Sequence, residues 1–392
     1  MSLNIQAQKI NFGPLKPTMG TWFWVLVFGA LGLILAYSAV YIFFQGQHTL
    51  ATSDPVPWNV FVSAYIFFVV TSTGLCFISA FGAVFGIEKY ELIAKRAVFA
   101  SLVFLAVGMT AIFLDIGRPW MMYNYAISPN PASPMFWMGV FYGLYFFLLL
   151  MELVFIIRGN LKATQFWGTL GFISAVVAHG CLGALLGMIY AKPLWFGPYM
   201  PIYFIMSAFV SGLASLSIIL IISYKSKNRK MSQRMHELIL DMGKVFGYAV
   251  CALLFFVFWK NASGIFADKP ELHWILYGEY AARFWIGEVL IGLIIPIFIL
   301  LYKGTRTHFG ILIAAIMVIA GLVMARVNLV IIGQLQTPFG QPLGTYSANM
   351  LEIMFFAGLF GMFGLIYLVG AYFFQFEEFE DMVSDALDEA GH

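Results

Sequence analysis

The stretch Phe113-Leu114-Asp115-Ile116-Gly117-Arg118-Pro119-Trp120 ends an apolar run with an acid and a base three residues apart. At that spacing on a helix the two side chains share a face and can cooperate. Other ionisable or amide groups also fall within apolar runs: Glu152, His179, Arg283, Glu288, Arg326, Asn328 and Glu352, with Asp241 and Lys244. Such groups are costly in a bilayer and are candidates for proton handling or for binding a polar ligand. Each also has a plainer reading. Asp115 with Arg118 can be a helix stop reinforced by Pro119, and Glu288 with Arg326 a neutralising pair. His179 can be hydrogen-bonding glue between helices, while Arg283 and Glu352 lie near enough to an interface to snorkel.

The elements that position these groups follow from composition. Of 392 residues, 61% are hydrophobic and 10% charged, and 41 are Phe. With a mean hydropathy of +0.88, this excludes a water-soluble surface and predicts an all-α polytopic integral membrane protein. A hydrocarbon core of about 30 Å takes roughly 20 apolar residues per helix. Ten such runs are expected near 20–44, 58–86, 93–114, 134–157, 165–190, 199–223, 238–260, 279–302, 309–332 and 350–375. Strand-type alternation is absent, which argues against a barrel. The first run has no small-residue cleavage site and reads as a retained helix. Cys76, Cys181 and Cys251 sit singly in separate runs, giving no disulfide framework and no local zinc or iron–sulfur motif.

Ten spans put the N-terminus, the even-numbered loops and the C-terminus on one side. Fourteen Lys and Arg fall there, from Lys9 and Lys16 to Lys303 and Arg306, against Arg118, Lys192, Lys260 and Lys269 opposite. That bias predicts both termini in the cytoplasm, with Asp115 facing outward. His179, Glu288, Arg326, Asn328 and Glu352 then belong to the outer half of the bilayer. Glu152, Asp241 and Lys244 belong to the inner side. The basic loop from Lys225 to Arg234 reads as a topology anchor near anionic lipid. The tail from Glu377 to Glu389, with seven acids and no base, reads as a solvated end.

Of six histidines only His179 lies in a span; His48, His236, His273, His308 and His392 fall in loops or tails. No haem b, which needs paired axial ligands, is expected. No Walker loop, Rossmann fingerprint or metal-ligand cluster appears, and the expected surroundings are lipid rather than nucleic acid. A short echo links Phe136-Trp137-Met138-Gly139 with Phe284-Trp285-Ile286-Gly287. It points to two four-helix bundles, 58–198 and 199–349 with its outer loop. Around them lie an N-terminal segment 1–19, a peripheral helix and outer loop 20–57, a last helix 350–375 and the tail 376–392.

Trp58, Leu114-Asp115-Ile116-Gly117-Arg118-Pro119, Glu152, Ala178-His179-Gly180, Phe284-Trp285 with Glu288, and Ala325-Arg326-Val327-Asn328 together resemble the polysulfide-reductase (NrfD/PsrC) membrane subunits. The resemblance covers helices two to ten and is strongest to the ten-helix branch that includes DsrP of sulfur-metabolising complexes. It implies a subunit of a quinol-dependent oxidoreductase in anaerobic respiration, binding menaquinone/menaquinol or ubiquinone near the outer face. The family carries no haem or iron–sulfur cluster in this subunit. It works beside an extracytoplasmic ferredoxin-like iron–sulfur subunit and other membrane and cytochrome subunits. By position, Asp115 and His179 would contact the head group or take its protons, with Arg118 holding the acid ionised. Glu288, Arg326, Asn328, Glu352 and Glu152 would be candidates for proton transfer, and proton translocation is an open option. Some ten-helix relatives carry a histidine in helix two, where this chain has Thr71, Ser72 and Thr73. Two other classes also fit ten helices: a secondary transporter and a purely structural anchor. Against transport, Pro296 is the main internal helix break.

Overall fold

The computed structural model describes residues 17–269, 271–335 and 346–390; Lys9, Lys16 and His392 lie outside them. Among the described residues ten helices are long and apolar enough to cross a membrane: α1 Met19–Gln45, α2 Val60–Ala83, α3 Glu88–Asp115, α4 Pro134–Arg158, α5 Leu161–Gly187, α6 Tyr199–Ser226, α7 Gln233–Phe266, α8 Arg283–Leu301, α9 His308–Leu335 and α10 Met350–Phe374. A last helix, α11 Phe376–Ala390, follows at once. Among the described residues there is no β-sheet, only an isolated bridge between Ser53 and Val56. The chain is therefore the all-α, multi-pass membrane protein that its composition predicts.

Helix starts follow local chemistry. The Asn59 side chain accepts from the Phe61 amide at 2.7 Å to open α2, and Ser232 accepts from Met235 at 3.2 Å to open α7. The latter cap starts α7 before the apolar run does, and the helix also outlasts that run. Asn261 and Ser263 return their side chains to the carbonyls of Val257 and Trp259 at 2.9 and 2.7 Å. Polar residues thus continue the helix instead of ending it, and Lys260 belongs to α7 rather than to a loop. The first 12 residues of α8 wind as a π-helix, Arg283–Ile294. Beyond them Pro296 cannot donate to the carbonyl of Gly292, four residues back.

α2 lies at the centre, packed on α3, α5, α6, α9 and α10. α4 packs on α5, and α6 with α7, α8 and α9 forms the other side of the molecule. α1 pairs with α10 at the periphery, through close approaches of Gly358 and Gly361 to Leu35 and Leu31. The two sides meet where α2 crosses α6. There a side chain on Gly74 would strike the Ala208 carbonyl, and one on Gly212 would strike the Gly74 backbone. Neither backbone can retreat without parting the helices. Gly74→Val is expected to cost about 3 kcal/mol or more, read as loss of monodisperse, heat-stable protein in detergent, whereas Gly143→Ala, in open space, leaves it unchanged.

The acidic tail departs from the expectation of a solvated end. Phe376, Phe379 and Val383 are buried, and so are Glu377 and Glu380. Arg96 of α3 donates to both oxygens of Glu380 at 2.6 and 2.8 Å, and to Tyr367 at 3.1 Å. Glu377 lies 3.3 Å from Arg96 and 2.6 Å from Lys227. Arg229 of the basic loop reaches Glu378 and Asp381 at 3.1 and 3.8 Å. Acids spaced three and four apart share one helix face with the aromatic residues, so the tail docks onto the basic loop that by itself reads as a lipid anchor.

Candidate functional site

The end of α3 meets the start of α2. Asp115 faces the Asn59 side chain and lies in the field of Glu352. Asn59 is fully buried; its oxygen caps α2, and its Nδ2 closes no hydrogen bond. One turn further along the same face, the buried Ser63 hydroxyl is also without a partner. Buried polar groups of this kind are nearly always paired, so an Asn59 Nδ2 that faces the Asp115 carboxylate without closing a bond, with a second unpartnered group one turn along α2, marks a place where a ligand's oxygen fits. The Gln47 amide donates to the Asp115 carbonyl and lies over Gly117, whose φ of +73° turns the chain away.

That turn separates Asp115 from Arg118. The helix ends at Asp115, so the i,i+3 relation does not hold, and Arg118 stands exposed at the head of the turn Pro119–Tyr123. No ion pair joins the two among the described residues. Glu352 is fixed instead. Its Oε1 accepts from the Ala51 amide at 3.1 Å, and its Oε2 accepts from Tyr346 at 2.9 Å and from the Asn349 amide at 3.0 Å. Burial, then Glu352, pushes the Tyr346 phenol up, so it stays a donor. Glu352 thus backs the cluster and Asp115 fronts it.

His179 lies deeper and is fully buried. Its Nδ1 is 3.1 Å from both Thr73 Oγ1 and Tyr142 Oη, and its Nε2 closes no hydrogen bond. The Phe204 ring lies beside the imidazole, 6.1 Å between centroids. Arg326 stacks on Phe204 at 4.7 Å and on Tyr203 at 5.2 Å, and donates to Ser207. Thr73 stands fourteen residues beyond Asn59 on α2, about 20 Å at 1.5 Å per residue. Asp115 and His179, grouped by depth in the sequence reading, therefore occupy separate levels.

A third cluster lies between α7, α8 and α9. Glu288, on the π-helical turn, shares a cavity of about 30 Å³ with Lys260, Asn261, Tyr203 and Asn328. Glu288 feels Lys260 first, then Asn328 and Arg326. Neither Asn328 amide atom closes a hydrogen bond, and no direct ion pair joins Glu288 to Arg326 among the described residues. The cavity has room for about two waters. Glu152 stands apart from all of these, at the Arg158 end of α4. Sequence reasoning did not single out Asn59, Ser63, Tyr142 or Lys260 as site residues, and it met Thr73 only as one of three hydroxyl residues where some relatives carry a histidine. The only available signal was α2's run of small hydroxyl side chains in an otherwise apolar span.

The protein is thus a multi-pass helical membrane protein with polar clusters set between its helices; among the described residues no three His, Cys, Asp or Glu gather as a metal site. It belongs to the NrfD, polysulphide reductase, family, whose model matches residues 47–338. It is 25% identical to a selenate reductase subunit of Mesobacillus selenatarsenatis, over 89% of this chain and 92% of that one. It is 27% identical, with the same coverage of each, to an Hdr-like menaquinol oxidoreductase integral membrane subunit of Archaeoglobus fulgidus. A putative dimethyl sulfoxide reductase membrane subunit of Halobacterium salinarum is 24% identical over 87% of this chain and 89% of its own.

Proposed function

We propose that the chain is the quinol-binding membrane subunit of a multi-subunit respiratory oxidoreductase of the DsrP-like, ten-helix kind. It exchanges electrons between menaquinol, or another quinol, and an extracytoplasmic iron–sulfur partner. One observation carries this reading. An apolar groove of about 850 Å³ runs between α1 and α10, from Val25 to Ala39 on one wall and along Met362, Leu365 and Ile366 on the other. It reaches Leu114, the residue before Asp115. A membrane-side groove that reaches the residue before Asp115, where a buried Asn59 amide faces the carboxylate, suits an amphiphile with a long apolar tail and an oxygen-bearing head.

Bound quinol supplies two electrons and two protons per oxidation, the electrons leaving to the partner. Asn59 Nδ2 and Ser63 Oγ would hold the head-group oxygens, and Asp115 would accept a proton from one of them. Glu352 and Tyr346 keep that wall in place. The lysine and arginine count supports the Asp115 end facing outward, toward the partner, with both termini cytoplasmic. The Archaeoglobus relative's description as part of a menaquinol oxidoreductase fits the same reading.

Organic extraction of the purified complex is expected to yield about one quinone per chain. A complex with none would favour transport or a purely structural anchor. Gly29 offers a sharper probe, because a side chain there meets open space in the groove. Gly29→Trp is expected to raise KM about ten-fold for a long-tailed menaquinol, roughly 1.4 kcal/mol of lost packing. KM for a short-tailed analogue should stay unchanged. Equal effects on both would remove the tail from the groove.

A further inference from the structure

We propose that Gln334, near the end of α9, is a positioning residue for the head-group site: its side-chain amide fixes the backbone that leads into Asn59 and thereby aims the Asn59 Nδ2. The inference rests on the reading of Asn59 as a head-group ligand and adds a residue, from the other side of the molecule, on which that ligand depends.

Between Gly46 and Asn59 the chain holds only the turn Gln47–Thr49 and an isolated bridge before α2 begins. The backbone bonds that this segment makes to itself stop at Val56, and Pro57 has no N–H to add. What holds the next residues comes from distant parts of the chain. The Trp58 N–H donates to Gln334 Oε1 at 2.8 Å, and Gln334 Nε2 donates to the Trp58 carbonyl at 2.9 Å. That carbonyl belongs to the peptide plane joining Trp58 to Asn59. The following plane is held as well, because the Val60 N–H donates to Tyr346 Oη at 3.3 Å. With the rigid planes on both sides fixed, the φ and ψ of Asn59 are fixed too. Its Oδ1 is engaged by the Phe61 amide at 2.7 Å, so the Nδ2 on the same flat group has one direction left, the one that faces Asp115.

Gln334 is itself held. It is 3% exposed, and Nε2 also donates to the Val330 carbonyl at 2.9 Å, so both amide protons are used. Lys192 donates to its main-chain carbonyl at 2.6 Å. The Trp58 indole stacks on Trp195 at 5.5 Å and 21°, and Trp195 Nε1 donates to the Leu329 carbonyl at 2.7 Å. Gly333 gives the Trp195 ring its place, since any side chain there would strike it. The loop between α5 and α6, the last turns of α9 and the start of α2 thus form one block, of the kind that holds a binding group ready before its ligand arrives. Water can satisfy backbone groups, but only a fixed side chain gives them a direction.

The test measures oxidation of a menaquinol analogue by the assembled complex in detergent, for Asn59→Ser, Gln334→Met and the two combined. Serine keeps the α2 cap and removes the Nδ2; methionine keeps the length of glutamine and removes both bonds to Trp58. Each single variant is expected to raise KM about ten-fold with kcat within about two-fold, the mark of one hydrogen bond made equally in ground and transition states. In the double variant KM should stay at the Asn59→Ser value, because Gln334 acts only through the group already removed. Gln334→Glu, which keeps the acceptor for the Trp58 amide, should fall between wild type and Gln334→Met. Its effect should also vanish in the Asn59→Ser background, so the test stands even where the methionine variant fails to assemble. Wild-type KM in both Gln334 variants, or a double variant whose KM rise is the product of the two single rises, overturns the positioning role and leaves the head-group site standing. Wild-type KM in Asn59→Ser removes Asn59 from the head-group site and the positioning role with it.

Discussion

Asp115→Asn is expected to slow quinol-dependent electron transfer by about 10²- to 10³-fold in the assembled complex, the contribution typical of a positioned general base. The substitution keeps the size of the side chain and can still meet the Asn59 amide, and the Gln47 bond runs to the Asp115 backbone, which it does not touch. What it removes is the oxygen able to take a proton beside Asn59. Quinone content and the set of assembled subunits should therefore match wild type, separating chemistry from assembly. Arg118→Gln is the control. Arg118 is exposed and forms no ion pair with Asp115, so its loss should change turnover less than two-fold, roughly the scale of an exposed charge. Normal menaquinol oxidation by Asp115→Asn would sink the assignment of this carboxylate.

The second large effect is on stability. Arg96→Met fills the same space without charge, leaving Glu380 with no cation and only the Tyr224 hydroxyl at 2.8 Å, and Glu377 with Lys227 alone. Breaking a buried pair from one side costs about 3–5 kcal/mol. Arg96 is 1% exposed and serves Glu380, Glu377 and Tyr367 together. α11 should leave its seat, becoming open to protease in detergent while the ten spans stay intact. Adding Glu377→Gln and Glu380→Gln should recover much of the loss, because no carboxylate is then stranded. If Arg96→Met alone leaves the tail protected, the charge cluster does not hold it.

The same seat has a pH signature. Burial raises the Glu377 carboxyl, but Arg96 and Lys227 outweigh it and hold the group at about 2, below its ordinary 4.5. A depressed carboxylate contributes stability above its unfolded value and loses it as pH falls. The contribution of Glu377, about 3 kcal/mol at neutral pH, should be intact above about pH 5 and fade between there and pH 2. Protease protection of α11 measured down that range reads it directly, and Lys227→Met should shift the loss upward.

The limits of the sequence are visible in particular residues. Spans were legible because a run of about 20 apolar residues has one physical solution in a bilayer; α1 to α10 stand where composition puts them, the largest differences falling at the start of α3 and at both ends of α7. Asp115, His179, Arg326 and Glu352 were legible because charge and polarity in lipid are conspicuous. The pairing of Asp115 with Arg118 was not, because it assumed a helix that Gly117 ends. The docked tail was missed for a related reason: seven acids read as solvated until Arg96, almost 300 residues away, is brought beside them.

Asn59 and Ser63 show the division most clearly. As residue types they are ordinary, one a helix cap and the other a small hydroxyl in a span. Only the approach of α3 to α2 makes the Asn59 Nδ2 the neighbour of a carboxylate, with the unpartnered Ser63 Oγ one turn further along α2. The sequence by itself determined that the chain is a bundle of membrane helices carrying ionisable groups, since hydropathy is additive along the chain. Tertiary structure decided which of those groups meet. It set the α2 residues that meet Asp115 and His179, Asn59 and Thr73, about 20 Å apart along that helix, and it joined the Tyr145 hydroxyl to serines on two other helices. Interhelical contact depends on rotation and crossing, which glycines such as Gly74 and Gly212 fix and no single run of residues encodes.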